Sequence, residues 1–212
     1  MKKIIFAFIA MTILFCGTSC DNIDDWTTDP DLEHVYYFGF FKTLVYSNTL
    51  NFEIAADGTA RWREASSAWA VTGTDGVSSD IPFELHSQMK YKYDIVSYFY
   101  ITNSGESALV AGTDYVVLDG SGSTLTLSDG KYSLTWSQAN KENRKNIRIK
   151  RLTSATGTLK VNTINPANAD PETGKPDVSI DKYIESTRNN ITDQYDLRGL
   201  TEDFNKTTVT FN

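Results

Sequence analysis

Apolar and polar residues alternate along most of this chain, in short runs broken by turn residues. Leu50, Phe52 and Ile54 alternate with polar neighbours. So do Ile81, Phe83 and Leu85, then Leu125 and Leu127, then Tyr132, Leu134 and Trp136, then Ile147 and Ile149. A period of two places such residues on one face of a half-buried strand. Residues 95–101 and 116–118, Leu159 with Val161, Tyr195 with Leu197, and Val209 with Phe211 read as further strands. Asp57-Gly58, before the returning residues 60–63, and Asp129-Gly130 carry the chemistry of tight hairpins. Gly120-Ser121-Gly122-Ser123 reads as a hairpin loop. Pro82 lacks an N–H, so it belongs on an edge strand or at a strand start. Residues 35–41, VYYFGFF, are apolar on both faces. They predict a strand buried on both sides, with Gly39 at a bulge or close approach; the alternative presents Tyr36 or Phe40 to a partner. Residues 137–146 form a polar loop, and residues 165–179, with three prolines, an irregular excursion. Residues 180–190 have a helical reading, made poor by Thr and Asn. Many short strands between turn signals predict an all-β antiparallel sandwich.

The first twenty residues follow a different rule. Lys2 and Lys3 precede a mostly apolar run over residues 4–15. A membrane-spanning helix needs about 20 apolar residues, so this run predicts a cleaved signal. Gly17, Thr18 and Ser19 lead to Cys20. That ending resembles a bacterial lipobox, with Gly17 where the family usually has Leu. The resemblance implies that Cys20 is acylated on its thiol and becomes the first residue of the mature chain. Cys16 competes less well because bulky Phe15 precedes it. A plain secretory signal with an incidental Cys20 is the alternative. With Cys16 removed and Cys20 acylated, the mature chain has no thiol left for a disulfide, and folding rests on its core.

Six acids and no base fall within residues 21–33: Asp21, Asp24, Asp25, Asp29, Asp31 and Glu33. Such a run reads as a solvated tether. Acids placed just after a lipidated cysteine also resemble the export signal of surface-exposed lipoproteins in the Bacteroidota. The division expected is a signal peptide over 1–19, a lipidated acidic tether over 20–32 and a β-sandwich over 33–212. A split of that last region into a hairpin region 33–75 and a core 76–212 is the alternative. Without residues 1–19 the chain has 193 residues, with 18 basic against 27 acidic side chains. That balance argues against nucleic acid as a partner.

The segment over residues 98–150 runs strand, loop, Ala111-Gly112-Thr113-Asp114-Tyr115, strand, Asp129-Gly130, strand, then Ile147-Arg148-Ile149. It resembles the Calx-beta type of immunoglobulin-like domain, in which Ala-x-x-Gly-x-Asp-Tyr recurs. Residues 195–211 look like the ending of uncharacterised Bacteroidota lipoproteins with such domains. The resemblance implies an immunoglobulin-like β-sandwich. The Gly-Thr-Asp-Tyr run has a physical reading of its own: Gly112 permits a tight turn, Asp114 bonds backbone N–H groups there, and Tyr115 is the first inward residue of a strand.

Candidate chemistry is sparse. His34 and His86 stand far apart without cysteines, which argues against a zinc site of the usual kind, and both are expected as surface or core residues. No nucleophile elbow, phosphate-binding loop or EF-hand spacing occurs. Calx-beta domains bind calcium through clustered acids, and acids are too scattered after Asp31 to carry that site over. The expectation is therefore a chain without catalytic residues, metal or cofactor. Trp136 alternates with Leu134 and Tyr132 and belongs to the core. Trp69, in a loop of small polar residues, and Trp62 are the candidate ligand contacts, because exposed aromatics stack on sugars.

These readings lead to a non-enzymatic lipoprotein of the outer membrane, facing the cell surface, anchored in the bilayer through Cys20. Its role is glycan or nutrient capture, with a glycan or an outer-membrane protein as partner. The alternative is a structural adhesin or fimbria-like subunit that exchanges strands between chains.

Overall fold

The computed structural model describes residues 34–40, 50–54, 76–87, 92–106, 108–169, 186–199 and 205–212. Cys20, Trp62, Trp69, the tether and the return arm expected at 60–63 lie outside the described residues. Eleven strands are described: β1 (Val35–Gly39), β2 (Leu50–Ile54), β3 (Ile81–Ser87), β4 (Ile95–Ser104), β5 (Tyr115–Asp119), β6 (Tyr132–Trp136), β7 (Arg144–Arg151), β8 (Gly157–Asn162), β9 (Arg188–Ile191), β10 (Asp196–Gly199) and β11 (Lys206–Phe211). One sheet runs β9-β10-β1-β3-β7-β5, the other β2-β11-β8-β4-β6. No helix among the described residues is long and apolar enough to cross a membrane.

The period-two residues face one another across the two sheets. Tyr36, Phe38, Ile81, Phe83, Leu85, Ile147 and Ile149 come from one sheet, and Ile95, Phe99, Leu134, Trp136, Leu159, Val209 and Phe211 from the other; all are buried. Aromatic pairs join the layers. Phe38 meets Trp136 edge-on at 5.9 Å, Phe83 meets Phe99 at 5.1 Å, and Tyr115 meets Phe211 at 6.3 Å between ring centroids. Each such pair adds about 0.5–1.5 kcal/mol beyond the area it buries. In β1, Tyr36, Phe38 and Phe40 are core, but Val35 and Tyr37 on the other face are only half-buried, so the burial expected on both sides holds for one.

Seven of the nine described strand pairings are antiparallel; β1 with β10 and β2 with β11 are parallel. The antiparallel expectation is corrected on those two. Side chains alternate with the same period in both directions, so alternation carries no information about strand sense. The helical reading of residues 180–190 fails over Arg188–Ile191, which is strand β9, whereas residues 186 and 187 are helical. The polar loop is shorter than expected, since β7 begins at Arg144, paired with Glu84 of β3. Leu125 and Leu127 do not form a strand. Only isolated bridges occur there, at Thr124 and Ser128, and Leu127 is 46% exposed. Pro82 sits second in β3, an interior strand, opposite Asn146. β1 pairs with β3 only from Glu84 onward, so the missing N–H costs no ladder bond with β1.

Side chains replace main chain at one corner. β8 pairs with β4 only from Tyr100 onward, leaving Val96 and Tyr98 without a strand on that side. Asn189 of β9 fills the gap: Tyr98 N–H donates to its Oδ1 at 2.8 Å, and its Nδ2 donates to the Tyr98 carbonyl at 2.6 Å. Val96 N–H donates to the Tyr195 hydroxyl at 3.0 Å, and Asn190 Nδ2 donates to the Val96 carbonyl at 2.7 Å. The sheets are thus closed at the β9 corner by amides that mimic a neighbouring strand.

Candidate functional site

At the opposite corner the described residues leave an edge uncovered. β5 ends one sheet and β6 ends the other, and among the described residues no strand pairs with the outer edge of β6. A cleft of about 500 Å³ lies there, within the usual size of ligand pockets. Three pieces of chain build it: the turn after β5, the edge of β6 and the first residues of β7.

The turn is organised by Asp119. Its carboxylate accepts from Ser121 Oγ at 2.6 Å, from Ser121 N–H at 2.9 Å and from Ser123 N–H at 2.9 Å. The hydroxyl of Ser121, with these backbone amides, holds the carboxyl below the usual carboxylate range. The Gly-Ser-Gly-Ser sequence suits this loop because small residues let several N–H groups converge on one carboxylate.

β6 contributes Ser133 and Thr135, exposed, on either side of buried Leu134. It reaches the edge through the Asp129-Gly130 hairpin. Both residues have positive φ, 50° and 75°, and Ser128 and Lys131 exchange two main-chain hydrogen bonds at 3.0 Å. That is a type I′ turn, whose twist matches the flanking strands.

β7 supplies Arg144, Lys145 and Asn146. Arg144 Nε donates to Glu84 at 2.8 Å, and His86 Nε2 lies 3.1 Å from the same carboxylate. Lys145 pairs with Glu142 at 2.9 Å, with its ammonium 5.9 Å from the Trp136 ring centroid. Ser137 N–H and Lys145 together lower the Glu142 carboxyl. Asn146 Nδ2 donates to Asp80 at 3.1 Å, and Arg148 donates to the Gly120 carbonyl at 3.2 Å. The two cations lining the cleft, Arg144 and Lys145, are therefore each matched by a carboxylate, and Asp119 keeps its charge among hydroxyl and backbone donors. What the cleft offers is hydroxyl and amide groups over a leucine floor.

A scan against protein-family models, a search of curated proteins and a search of solved structures each return no match.

Trp136 is core, 1% exposed, with its indole N–H donating to Ser97 Oγ at 2.8 Å. Neither histidine lines the cleft. His34 Nδ1 lies 2.8 Å from the Gln194 carbonyl and stacks on Tyr93. Among the described residues no three metal-ligating side chains gather. Asp114 behaves as its turn requires. Its carboxylate accepts from Val110 N–H and Thr153 Oγ1, each at 2.8 Å, and both bonds lower its pKa, with Gly112 at φ 80° beside it. Tyr115 then points into the core.

The cleft residues were not singled out by sequence reasoning. Gly120 to Ser123 carried the signal of a hairpin loop, and Ser133 and Thr135 that of an exposed strand face. Nothing in the order of residues announced that these two features would meet the start of β7.

Proposed function

We propose that this protein is a surface-exposed outer-membrane lipoprotein, anchored through acylated Cys20, acting as a non-catalytic module that captures a neutral glycan. The observation that carries the reading is the cleft beside β6. Its charged groups already have partners, and the polar groups it presents are those that recognise sugar hydroxyls: Ser133, Thr135, Ser121 and Asn146. An anionic ligand would find each nearby cation matched by a carboxylate. The signal, Cys20 and the acids of residues 21–33 support a position at a membrane surface, and the Gly112-Thr113-Asp114-Tyr115 corner supports a sandwich of the Calx-beta, immunoglobulin-like type.

A glycan array followed by calorimetry tests the capture reading. Wild-type protein is expected to bind a neutral glycan, and Thr135→Lys to abolish binding by filling the cleft mouth without touching the core. Wild-type protein that binds nothing on the array ends the reading. Metabolic labelling with a palmitate analogue tests the anchor: label is expected in the wild type and lost in Cys20→Ala, and unchanged labelling would refute it.

The second reading, an adhesin or fimbria-like subunit, is favoured by the same open edge. An unpaired strand without proline, charge or bulge is a template for another strand. It predicts concentration-dependent association in light scattering, abolished by Ser133→Pro. A strictly monomeric protein excludes it.

A further inference from the structure

Leu125 and Leu127 alternate with Thr124, Thr126 and Ser128 in a strand pattern, yet this segment belongs to neither sheet. It crosses between two anchors. At one end Thr124 bridges Leu118 of β5, and Leu125 N–H donates to the Val117 carbonyl at 2.8 Å. At the other, Ser128 and Lys131 exchange their two main-chain hydrogen bonds across the type I′ turn. Between the anchors, Thr126 and Leu127 make no main-chain hydrogen bond among the described residues. Thr124, Thr126 and Ser128 are exposed, and Leu127, a large apolar residue, is 46% exposed.

The turn also fixes a register. Hydrogen-bonded pairs of an antiparallel hairpin recur at every second residue. After Ser128 with Lys131, the next such pair is Thr126 with Ser133, and the one after it is Thr124 with Thr135. Ser133 and Thr135 are the exposed residues of β6, whose outer edge no described strand pairs. The intervening pairs set Leu127 opposite Tyr132 and Leu125 opposite Leu134. Tyr132 and Leu134 face the core, so the same register turns Leu127 to the buried side. Residues 124–128 therefore have two competing partners, β5 and β6.

We infer that residues 124–128 are a strap that zips onto β6 and closes the cleft. The cleft lies between the two, lined by Leu125 on one side and by Ser133, Leu134 and Thr135 on the other. Closure buries Leu127 and pairs the main chain of Ser133 and Thr135, and it gives up the Thr124 bridge and the Leu125 bond to β5. The structure holds the strap open, which leaves room for a ligand. The Asp129-Gly130 turn keeps the strap beside its own β6, so closure within one chain is favoured over exchange with a second copy. The strap's role as a gate rests on the reading of the cleft as a ligand site; the closure itself does not.

Disulfide trapping in the full-length protein, purified in detergent and held in a glutathione redox buffer, tests the register. Cα atoms of a hydrogen-bonded pair lie about 5.5 Å apart, within disulfide range, whereas two residues out of register they lie more than about 8 Å apart. Thr126→Cys with Ser133→Cys is in register, and Thr126→Cys with Thr135→Cys is not. Trypsin cuts after Lys131, so each bond is read by mass spectrometry as a linked pair of peptides. The in-register bond is expected to form about tenfold more readily than the other, or better. Thermal melts report folding. Should the first variant fail to fold, Thr124→Cys with Thr135→Cys, set against Thr124→Cys with Ser133→Cys, makes the same comparison. Equal yields in and out of register, or no bond at either pair, overturn the strap and leave the cleft standing. A bond joining two chains, seen as a dimer on a non-reducing gel, also overturns it and favours the strand-exchanging subunit.

Discussion

Single residues carry two different kinds of constraint here, and glycine separates them. At Gly130 an added Cβ would meet nothing within 4 Å, but φ is 75°. Gly130→Ala is therefore expected to cost about 1 kcal/mol of backbone strain, with the fold unchanged. At Gly199 an added Cβ would lie 2.5 Å from Ile164 Cγ1 and 3.3 Å from the Thr163 carbonyl. Gly199→Ala is expected to cost more, about 1–3 kcal/mol, because β10 must move away from its neighbour. Urea melts rank the two, and the reverse order would contradict this account. Asn189 is the strongest single test of polar packing. Besides its two bonds to Tyr98, its Nδ2 donates to the Thr163 carbonyl at 2.6 Å. Asn189→Leu removes all of them, and each buried group left unpaired costs about 1–3 kcal/mol. A loss of about 3 kcal/mol or more is expected in chemical denaturation; a loss below about 1 kcal/mol would mean that water reaches the β4 edge.

At the scale of elements, two turns depend on ionised carboxylates. Asp114 fixes the corner before β5 and Asp119 the turn after it, and both have pKa values below the ordinary carboxylate range because backbone and hydroxyl donors favour the charged form. The folded state thus holds its protons less tightly than the unfolded chain. The stability these bonds contribute is present above the unfolded value of about 3.9 and is lost as pH falls through the lower folded values. Denaturant midpoints measured between pH 6 and 2.5 are expected to drop below about pH 4. Asp119→Asn should flatten part of that drop, and an unchanged acid profile would show that the carboxylate's bonds contribute nothing. The turn itself was legible, since Gly120-Ser121-Gly122-Ser123 is loop chemistry, although Asp119 at its head was not singled out. The turn's place in a cleft was not legible, because Arg144, Lys145 and Asn146 arrive there only through the pairing of β7 with β5, which sets Ile147 opposite Asp119.

At the scale of the molecule, the two ends of the sandwich solve one problem differently. A strand edge leaves N–H and C=O groups unpaired, and those must be satisfied or shielded. At the β9 corner Asn189, Asn190 and Tyr195 do so with side chains. The return after β5 covers part of that strand, with Leu125 N–H donating to the Val117 carbonyl at 2.8 Å. Among the described residues β6 has neither device. If the glycan occupies the cleft, hydrogen exchange of Ser133 and Thr135 amides is expected to slow when ligand is added, while Val96 and Tyr98 stay protected in both states. Equal exchange of all four in both states would place the ligand elsewhere.

The all-β class, most of the strands and the inward positions from Tyr36 to Phe211 follow from the sequence by itself. Burial acts on every second residue, and that period is written locally. The hairpin at Asp129-Gly130 and the corner at Asp114 follow likewise, because the conformations they need are properties of one or two residues. The parallel pairing of β1 with β10, the amide clamp on β4 and the cleft beside β6 were decided only by tertiary structure. Each depends on segments far apart in the chain meeting at a particular register. Residue order constrains such meetings only through the shape of the whole core, so Asn189 could pass for part of a poor helix and Ser133 for an ordinary exposed serine until the sheets were in place.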